Sequence, residues 1–331
     1  APDICVTYSY PTILTYAQMG GIIDLSPYLE QYKDLLPNLF NWLGDTNIYW
    51  NKDPKTGTIW AIEGKRVEQQ RIVTFVRQDW LDKLNMKAPT TTQEFEDMLY
   101  AFKNNAELLL GADAKKMVPF SISYDVGWRA ANLIYSFLDP KMTDKEYFIN
   151  GFDDRLVTQR GTKEAIRLLN KWYNDGLIWQ DFALYGSGDT TEGDMIKAGY
   201  VGSFIHSWDE PFRNGEDNYN ANLKRNVGEN AKFVPIDPFT NSEGKHAKLL
   251  YSSAGDRKIF FPITNKEPLA CLLYLDFISR PDTIKYLQAG EEGVTHEVLE
   301  SGAIRIIAAT GDAIQNSGKN IDYTITCNGT F

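Results

Sequence analysis

Residues 72–102 read IVTFVRQDWLDKLNMKAPTTTQEFEDMLYAF, and this stretch decides the fold class. Ile72 to Arg77 is rich in β-branched and aromatic side chains, the composition of a strand. Thr91 and Glu94 stand at capping-box spacing, so a helix opens there. Phe95, Met98, Leu99 and Phe102 then fall at i, i+3, i+4 and i+7, which gives that helix one apolar face. A strand feeding an amphipathic helix is the repeating step of an α/β protein.

The same alternation continues on both sides. Upstream, Ile4 to Tyr8 reads as a buried strand and Thr12 to Gln18 as a helix stopped by Gly20-Gly21. Thr58 to Ile62 reads as a strand entered through the turn Asp53 to Gly57. Downstream, Lys163 to Asn174 forms a helix with Ile166, Leu169 and Tyr173 on one face and Gly176 at its end. Tyr200 to His206, Phe233 to Ile236 and Ile259 to Ile263 are strands, and Leu269, Leu273 and Phe277 mark a late helix stopped near Pro281. The chain has 331 residues, a length that suggests about two domains. No low-complexity linker divides it, so two lobes would require the chain to cross between them more than once.

Composition narrows the function. Apolar residues make up 43% and charged residues 24%, values of an ordinary globular protein. A formal net charge of −10 with no Lys/Arg block repels a polyanion, which disfavours nucleic acid as a partner. Three widely spaced cysteines, Cys5, Cys271 and Cys327, form no CxxC or Cys/His ligand pattern. Cys5 and Cys271 sit in apolar runs and read as small core residues. No apolar run approaches the roughly 20 residues of a membrane span. Most of the 8 Trp and 18 Tyr read as core or half-buried packing, and the remainder leaves enough rings to line a ligand cleft.

Catalytic motifs do not emerge. Gly186-Ser187-Gly188 lacks the third glycine of a dinucleotide loop, since position 191 is Thr191, and reads as a surface loop. His206, His246 and His296 are scattered, without metal-ligand spacing. No GxSxG elbow occurs. Asp209-Glu210 and Glu291-Glu292 could serve as a glycosidase pair, although adjacent carboxylates are more often solvated or accept sugar hydroxyls. No cofactor or metal is expected, and the chain reads as a non-enzyme.

Several segments in order carry a resemblance. They are Pro2-Asp3-Ile4; Tyr16 to Gly21 with Ile23-Asp24-Leu25; Gly57 to Ile62; and Val76 to Leu81 with Ala88-Pro89-Thr90-Thr91 and Phe95. Lys197 to Ser203 with Trp208, Ile263 to Pro268 with the helix after it, and Glu292 to Glu297 complete the series. Each is weak alone; together they resemble the family 1 extracellular solute-binding proteins of ABC importers, the maltose-binding-protein-like family, and within it the lipoprotein subgroup of Firmicutes. Relative to that family the chain looks trimmed at both ends. It also departs from the subgroup's calcium loop: Gly111 to Met117 has one carboxylate and two lysines, so no calcium is expected there.

The resemblance implies a two-lobed, hinge-connected α/β fold of the periplasmic-binding-protein type II kind, with ligand between the lobes. Lobe one would comprise 1–72 and 259–331, and lobe two 73–258, with crossings near Val73 to Arg77 and Tyr251 to Lys258. It implies an extracellular (alternatively periplasmic), lipid-anchored monomer that captures an oligosaccharide for an ABC permease and its ATPase. Sugar faces stack on flat rings and sugar hydroxyls need fixed polar partners. The resemblance points to Trp208 and Trp128 as stacking rings, with core packing as the plain alternative for each. Asp209 would accept hydroxyl protons. Tyr8 and Tyr10 follow the first strand; Glu63 and Arg66 would lie on a cleft-facing loop; Arg77, Arg129, Tyr251 and His296 complete the expected contacts. If Arg66, Arg77 and Arg129 converge, their forks would favour an acidic saccharide. A glycoside hydrolase or lyase, and a binder of peptides or another solute, are the competing readings.

Overall fold

The computed structural model describes residues 2–66, 72–143, 145–146, 159–186, 188–213, 217–241, 243–246, 255–307 and 325–328. Its strands are β1 (Cys5–Thr7), β2 (Ile62–Arg66), β3 (Ile72–Arg77), β4 (Val118–Ser121), β5 (Val201–Ser207), β6 (Phe233–Ile236), β7 (Gly255–Phe260), β8 (His296–Val298), β9 (Ile304–Ile306) and β10 (Cys327–Asn328). The helices that matter below are α1 (Tyr10–Gln18), α2 (Pro37–Tyr49), α3 (Gln78–Lys83), α4 (Thr92–Asn104), α5 (Val126–Arg129), α6 (Arg160–Asn174), α7 (Thr191–Lys197), α8 (Tyr219–Asn226), α9 (Pro268–Ile278) and α10 (Pro281–Ala289). The chain divides into two compact units, 1–69 with 251–331 and 70–250. No described helix is long and apolar enough to cross a membrane.

Unit 2 is built on a sheet of order β4-β5-β3-β6. β4 runs parallel to β5, and β3 is antiparallel to both β5 and β6. Successive residues of these strands feed opposite faces. Val76, Phe120 and Ile205 pack with Trp80, Phe95, Phe102 and Trp172 on one side. Phe75, Val201, Phe204 and Phe233 pack with Ile196 and Leu223 on the other. A sheet buried on both faces explains why its strands read as continuous apolar runs. Phe75 and Phe204 are register partners with ring centroids 5.3 Å apart. The capping box of α4 is present as expected: Glu94 N–H donates to Thr91 Oγ1 at 3.1 Å, and the Glu94 carboxylate accepts from Thr91 N–H at 3.2 Å. Gly202 admits the close packing of α3 and α4, since a Cβ there would stand 2.6 Å from Phe102 and 2.8 Å from Trp80.

Unit 1 carries the sheet β1-β7-β2-β10, with β7 antiparallel to β1 and β2 and β10 parallel to β2. Ile62 and Ile259 face a core completed by Leu39, Leu43, Leu272 and Leu275 from α2 and α9. Ala61 and Phe260 face Ile13 and Ile22 on the other side. The buried Asp276 of α9 accepts from Leu39 N–H and Asn38 Nδ2, both at 2.8 Å, so it caps the start of α2. Cys5, Cys271 and Cys327 are all free thiols. Cys271 is buried in the core, and Cys5 is half-buried beside Ile13 and Ile22.

Several elements are displaced from their sequence-based positions. The strand expected over 58–62 begins at Ile62, because Ile59 makes only a bridge to Lys52 while its N–H is taken by Ser26 Oγ at 2.8 Å. The strand expected over 259–263 runs from Gly255 to Phe260, and Ile263 is exposed. In α6 the buried face is Thr162, Ala165, Leu169 and Trp172, and Ile166 turns outward. In α9 the expected marker residues Leu273 and Phe277 lie on the exposed face, while Cys271, Leu272, Leu275 and Ile278 pack inward. Glu63 and Arg66 belong to β2 itself, not to a loop after it.

Candidate functional site

Because β4 and β5 are parallel, both end on the same edge of the unit 2 sheet, where β3 begins and β6 ends. Carboxyl edges of this kind are where α/β sheets present ligand-binding loops. After β4, Asp125 caps the single turn of α5 by accepting from Trp128 N–H at 3.3 Å. That turn points Trp128 across the edge, where its ring meets His206 edge-on at 4.8 Å between centroids. After β5, Trp208 stands 50% exposed. Tyr124, at 51%, and Phe212, at 56%, are further exposed rings on the connections leaving this edge.

A polar network lies with these rings. Arg129 is buried, and its Nε donates to the Ile205 carbonyl at 2.6 Å. Its two terminal nitrogens form a fork on Glu192 of α7 at 2.8 and 2.6 Å. Glu192 Oε1 also accepts from Ser121 Oγ at 2.6 Å, so one carboxylate ties β4, α5 and α7 together. Burial alone would raise the Glu192 carboxyl, but the Arg129 charge and the hydrogen bonds from Arg129 and Ser121 outweigh it and hold it below its ordinary range. His206 Nδ1 lies 3.0 Å from Glu210 Oε2, off the line a good hydrogen bond needs. Glu210 is also 3.1 Å from Arg213, which forks onto Asp209 at 3.0 and 2.6 Å. Burial pushes the Glu210 carboxyl up, yet His206 and Arg213 bring it below its usual value. Tyr219 of α8 is raised, first by burial and then by the charges of Glu210 and Glu192.

The structure therefore brings Trp128, Arg129, Trp208 and Asp209 onto one edge. It does not gather the other expected contacts there. Arg77 is 0% exposed; Nε and one terminal nitrogen bind Asp79, each at 2.8 Å, and the other donates to the Gly199 carbonyl at 2.8 Å. Its guanidinium also stacks 4.7 Å from the Trp80 ring centroid, so Arg77 is a brace inside unit 2, and its expected role at a ligand is corrected accordingly. Arg129 is likewise corrected from a ligand fork to a support for α5, since its three nitrogens are occupied by Glu192 and Ile205. Arg77 and Arg129 do not converge on a common point.

In unit 1, β1 and β2 end on the edge where β7 begins. Tyr8 is 58% exposed there, and its hydroxyl accepts from the buried Arg257 at 3.2 Å. Tyr10 opens α1 half-buried, its phenol pushed up by burial and then by the Asp53 charge. Glu63 is fully buried in β2 between Lys258 Nζ at 2.9 Å and Asn51 Nδ2 at 2.7 Å, which corrects its expected place on a cleft-facing loop. Arg66 closes β2, with its side chain outside the described residues, and Tyr251 lies outside them altogether. His296 opens β8 and is 1% exposed, with Nδ1 3.1 Å from the Ala289 carbonyl; burial removes it from the expected ligand contacts.

Sequence reasoning missed Glu192, Ser121, Arg213 and Tyr219. Arg213 had a local signal, four residues from Asp209 in the sense that suits an ion pair. Glu192 had none, being 63 residues from its partner Arg129. Among the described residues no cluster of three or more His, Cys, Asp or Glu side chains could hold a metal ion.

No family model matches the chain. It is 23% identical over 290 residues to the polygalacturonan/rhamnogalacturonan-binding protein YtcQ of Bacillus subtilis strain 168, covering 86% of this chain and 53% of that protein. It is 28% identical over 300 residues to lipoprotein LipO of the same organism, covering 85% of this chain and 53% of that one. The chain thus spans about half the length of the curated relatives it matches. Among solved structures, the alginate-binding protein AlgQ2 superposes with a TM-score of 0.66 at 20% identity, over 93% of this chain and 61% of that one. The α/β fold expected from the sequence, that of the two-lobed ABC-transporter substrate-binding proteins, is the fold found. By sequence and by fold, the chain is a relative of the extracellular solute-binding proteins of the maltose-binding-protein-like family.

Proposed function

We propose that the chain is the solute-binding part of an ABC importer and captures an oligosaccharide on the aromatic edge of unit 2. The observation that carries this reading is the pairing of Trp128 and Trp208 with a hydrogen-bonding network on one sheet edge. Aromatic faces take the C–H faces of sugar rings, and Asp209 and Glu210 offer acceptors for hydroxyls. The names of the relatives agree, since YtcQ is named for binding polygalacturonan and rhamnogalacturonan and AlgQ2 for binding alginate.

The carboxylates suit binding better than catalysis. A glycosidase needs one carboxylic acid with a raised pKa and a second placed across the scissile bond. Asp209 and Glu210 instead share Arg213, and Glu210 is held low. On this reading the protein acts outside the cell as a lipid-anchored monomer, and the name of LipO, a lipoprotein, supports the anchor. It delivers its ligand to a membrane permease driven by an ATPase.

Two measurements test this. Mass spectrometry of ligand released from purified protein should find an intact oligosaccharide, and incubation with that sugar should leave it uncut. Trp208→Ala should weaken binding at least about tenfold, the value of a lost ring contact of roughly 1–3 kcal/mol. Recovery of a peptide, or turnover of the sugar, would end the proposal.

A further inference from the structure

The polar groups of the unit 2 edge also bear on which sugar it takes, an inference that rests on the carbohydrate reading above. A uronate carboxylate lying on this edge is favoured by a cation whose charge is not already matched, because a charge removed from water without a partner is strongly disfavoured. Two guanidinium groups lie on the described connections leaving the edge, Arg129 and Arg213, and the charge of each already faces carboxylates, although Arg213 is 40% exposed. Arg129 gives all three nitrogens to Glu192 and the Ile205 carbonyl. Arg213 gives Nε and one terminal nitrogen to Asp209, and the other terminal nitrogen faces Glu210.

Carboxylates outnumber them. Glu192, Asp209 and Glu210 are joined by Asp125, exposed after β4, and Asp237, exposed after β6. No lysine stands in residues 122–130, 208–213 or 237–241, and Lys245, further along the connection after β6, lies 3.5 Å from Glu243. Of these groups, His206 alone gains positive charge on protonation, and it already faces Glu210. An incoming carboxylate would meet surplus negative charge, whereas sugar hydroxyls can donate to Asp209 and Glu210 without displacing any pair.

We infer that the aromatic edge of unit 2 selects an uncharged stretch of glycan and disfavours a uronate, although YtcQ is named for polygalacturonan. The acidic ligand expected from three converging arginines is thereby replaced by a neutral one.

Calorimetry with charge-matched pairs tests this: oligogalacturonates against their methyl esters, oligomannuronates against manno-oligosaccharides, and neutral fructo- and chito-oligosaccharides. An uncharged member should bind, and its uronate counterpart should bind at least about tenfold more weakly, as like charges brought together require. In Asp209→Asn, which frees half of Arg213, that gap should narrow by about tenfold, with a thermal melt confirming that the variant is folded. A uronate that binds as tightly as its uncharged partner overturns the inference while leaving the carbohydrate reading intact. An unchanged gap in the folded variant overturns it too, because the selectivity then arises elsewhere. Binding by no member of the panel removes the carbohydrate reading and this inference with it.

Discussion

The two sheets place their charges differently. In unit 1 the ionic pair Glu63–Lys258 sits within the sheet, between β2 and β7, and the edge beyond shows an exposed tyrosine, Tyr8. In unit 2 the corresponding edge carries two linked sets of pairs, Glu192–Arg129 and Asp209–Arg213–Glu210, beneath exposed or half-exposed indoles. A buried pair inside a sheet can only fix strands. A pair at the end of parallel strands fixes the loops that leave them, and Arg129 does so for the turn that carries Trp128. The same chemistry therefore serves register in one unit and preorganisation of a surface in the other.

The largest test of this contrast strands a buried charge in each unit. Arg129→Met leaves Glu192 unpaired and Lys258→Met leaves Glu63 short of its cation. Each should cost about 3–5 kcal/mol of stability in denaturant titrations. Only Arg129→Met should also weaken sugar binding in the protein that remains folded; equal binding losses in both variants would erase the distinction. Trp208→Ala comes next. With half its surface in water it should change stability by no more than about 0.5 kcal/mol while binding falls about tenfold or more, so a large stability loss would make Trp208 a packing residue.

Acid gives a third test. Glu192 and Glu210 titrate below their ordinary range in the folded chain. Their stabilisation is therefore complete above the ordinary carboxylate pKa, near 4.3, and is lost as pH falls through the lowered folded values. Glu192→Gln should lower stability at neutral pH and flatten the acid limb of a stability-against-pH curve. A limb as steep as that of the parent chain would show that the unit 2 network does not govern acid sensitivity. The smallest effect belongs far from both edges: Leu273→Gln on the exposed face of α9 should shift stability by about 0.5 kcal/mol or less, whereas Leu272→Ala, one residue away and buried, should cost about 2–5 kcal/mol.

That last pair shows how far the sequence could be read. Local chemistry was legible where one signal ruled: the capping box at Thr91 and Glu94, the turn ending at Gly57, and the strand Ile72–Arg77 all lie where their residues place them. Helix α9 is apolar nearly all round, so its periodicity could not say which side meets α2, and the stripe that stood out is the exposed one. Trp128 and Trp208 were singled out by the family resemblance and not by local pattern, which left core packing open for both. The roles of Arg77, Arg129 and Glu63 were not legible, because an arginine or glutamate looks the same in sequence whether it meets water or a distant partner. Asp79, Glu192 and Lys258 decide those roles, and the last two come from 63 and 195 residues away.

The distribution of thiols has a practical consequence. Cys5, Cys271 and Cys327 all belong to unit 1, and burial holds the Cys5 and Cys271 thiols above their ordinary pKa. Thiol-reactive reagents applied to the unaltered chain will thus report the opening of unit 1 alone, while indole emission from Trp80, Trp128, Trp172, Trp179 and Trp208 is weighted to unit 2. The molecule comes with separate clocks for its two parts, and no label need be engineered to learn which of them lets go first.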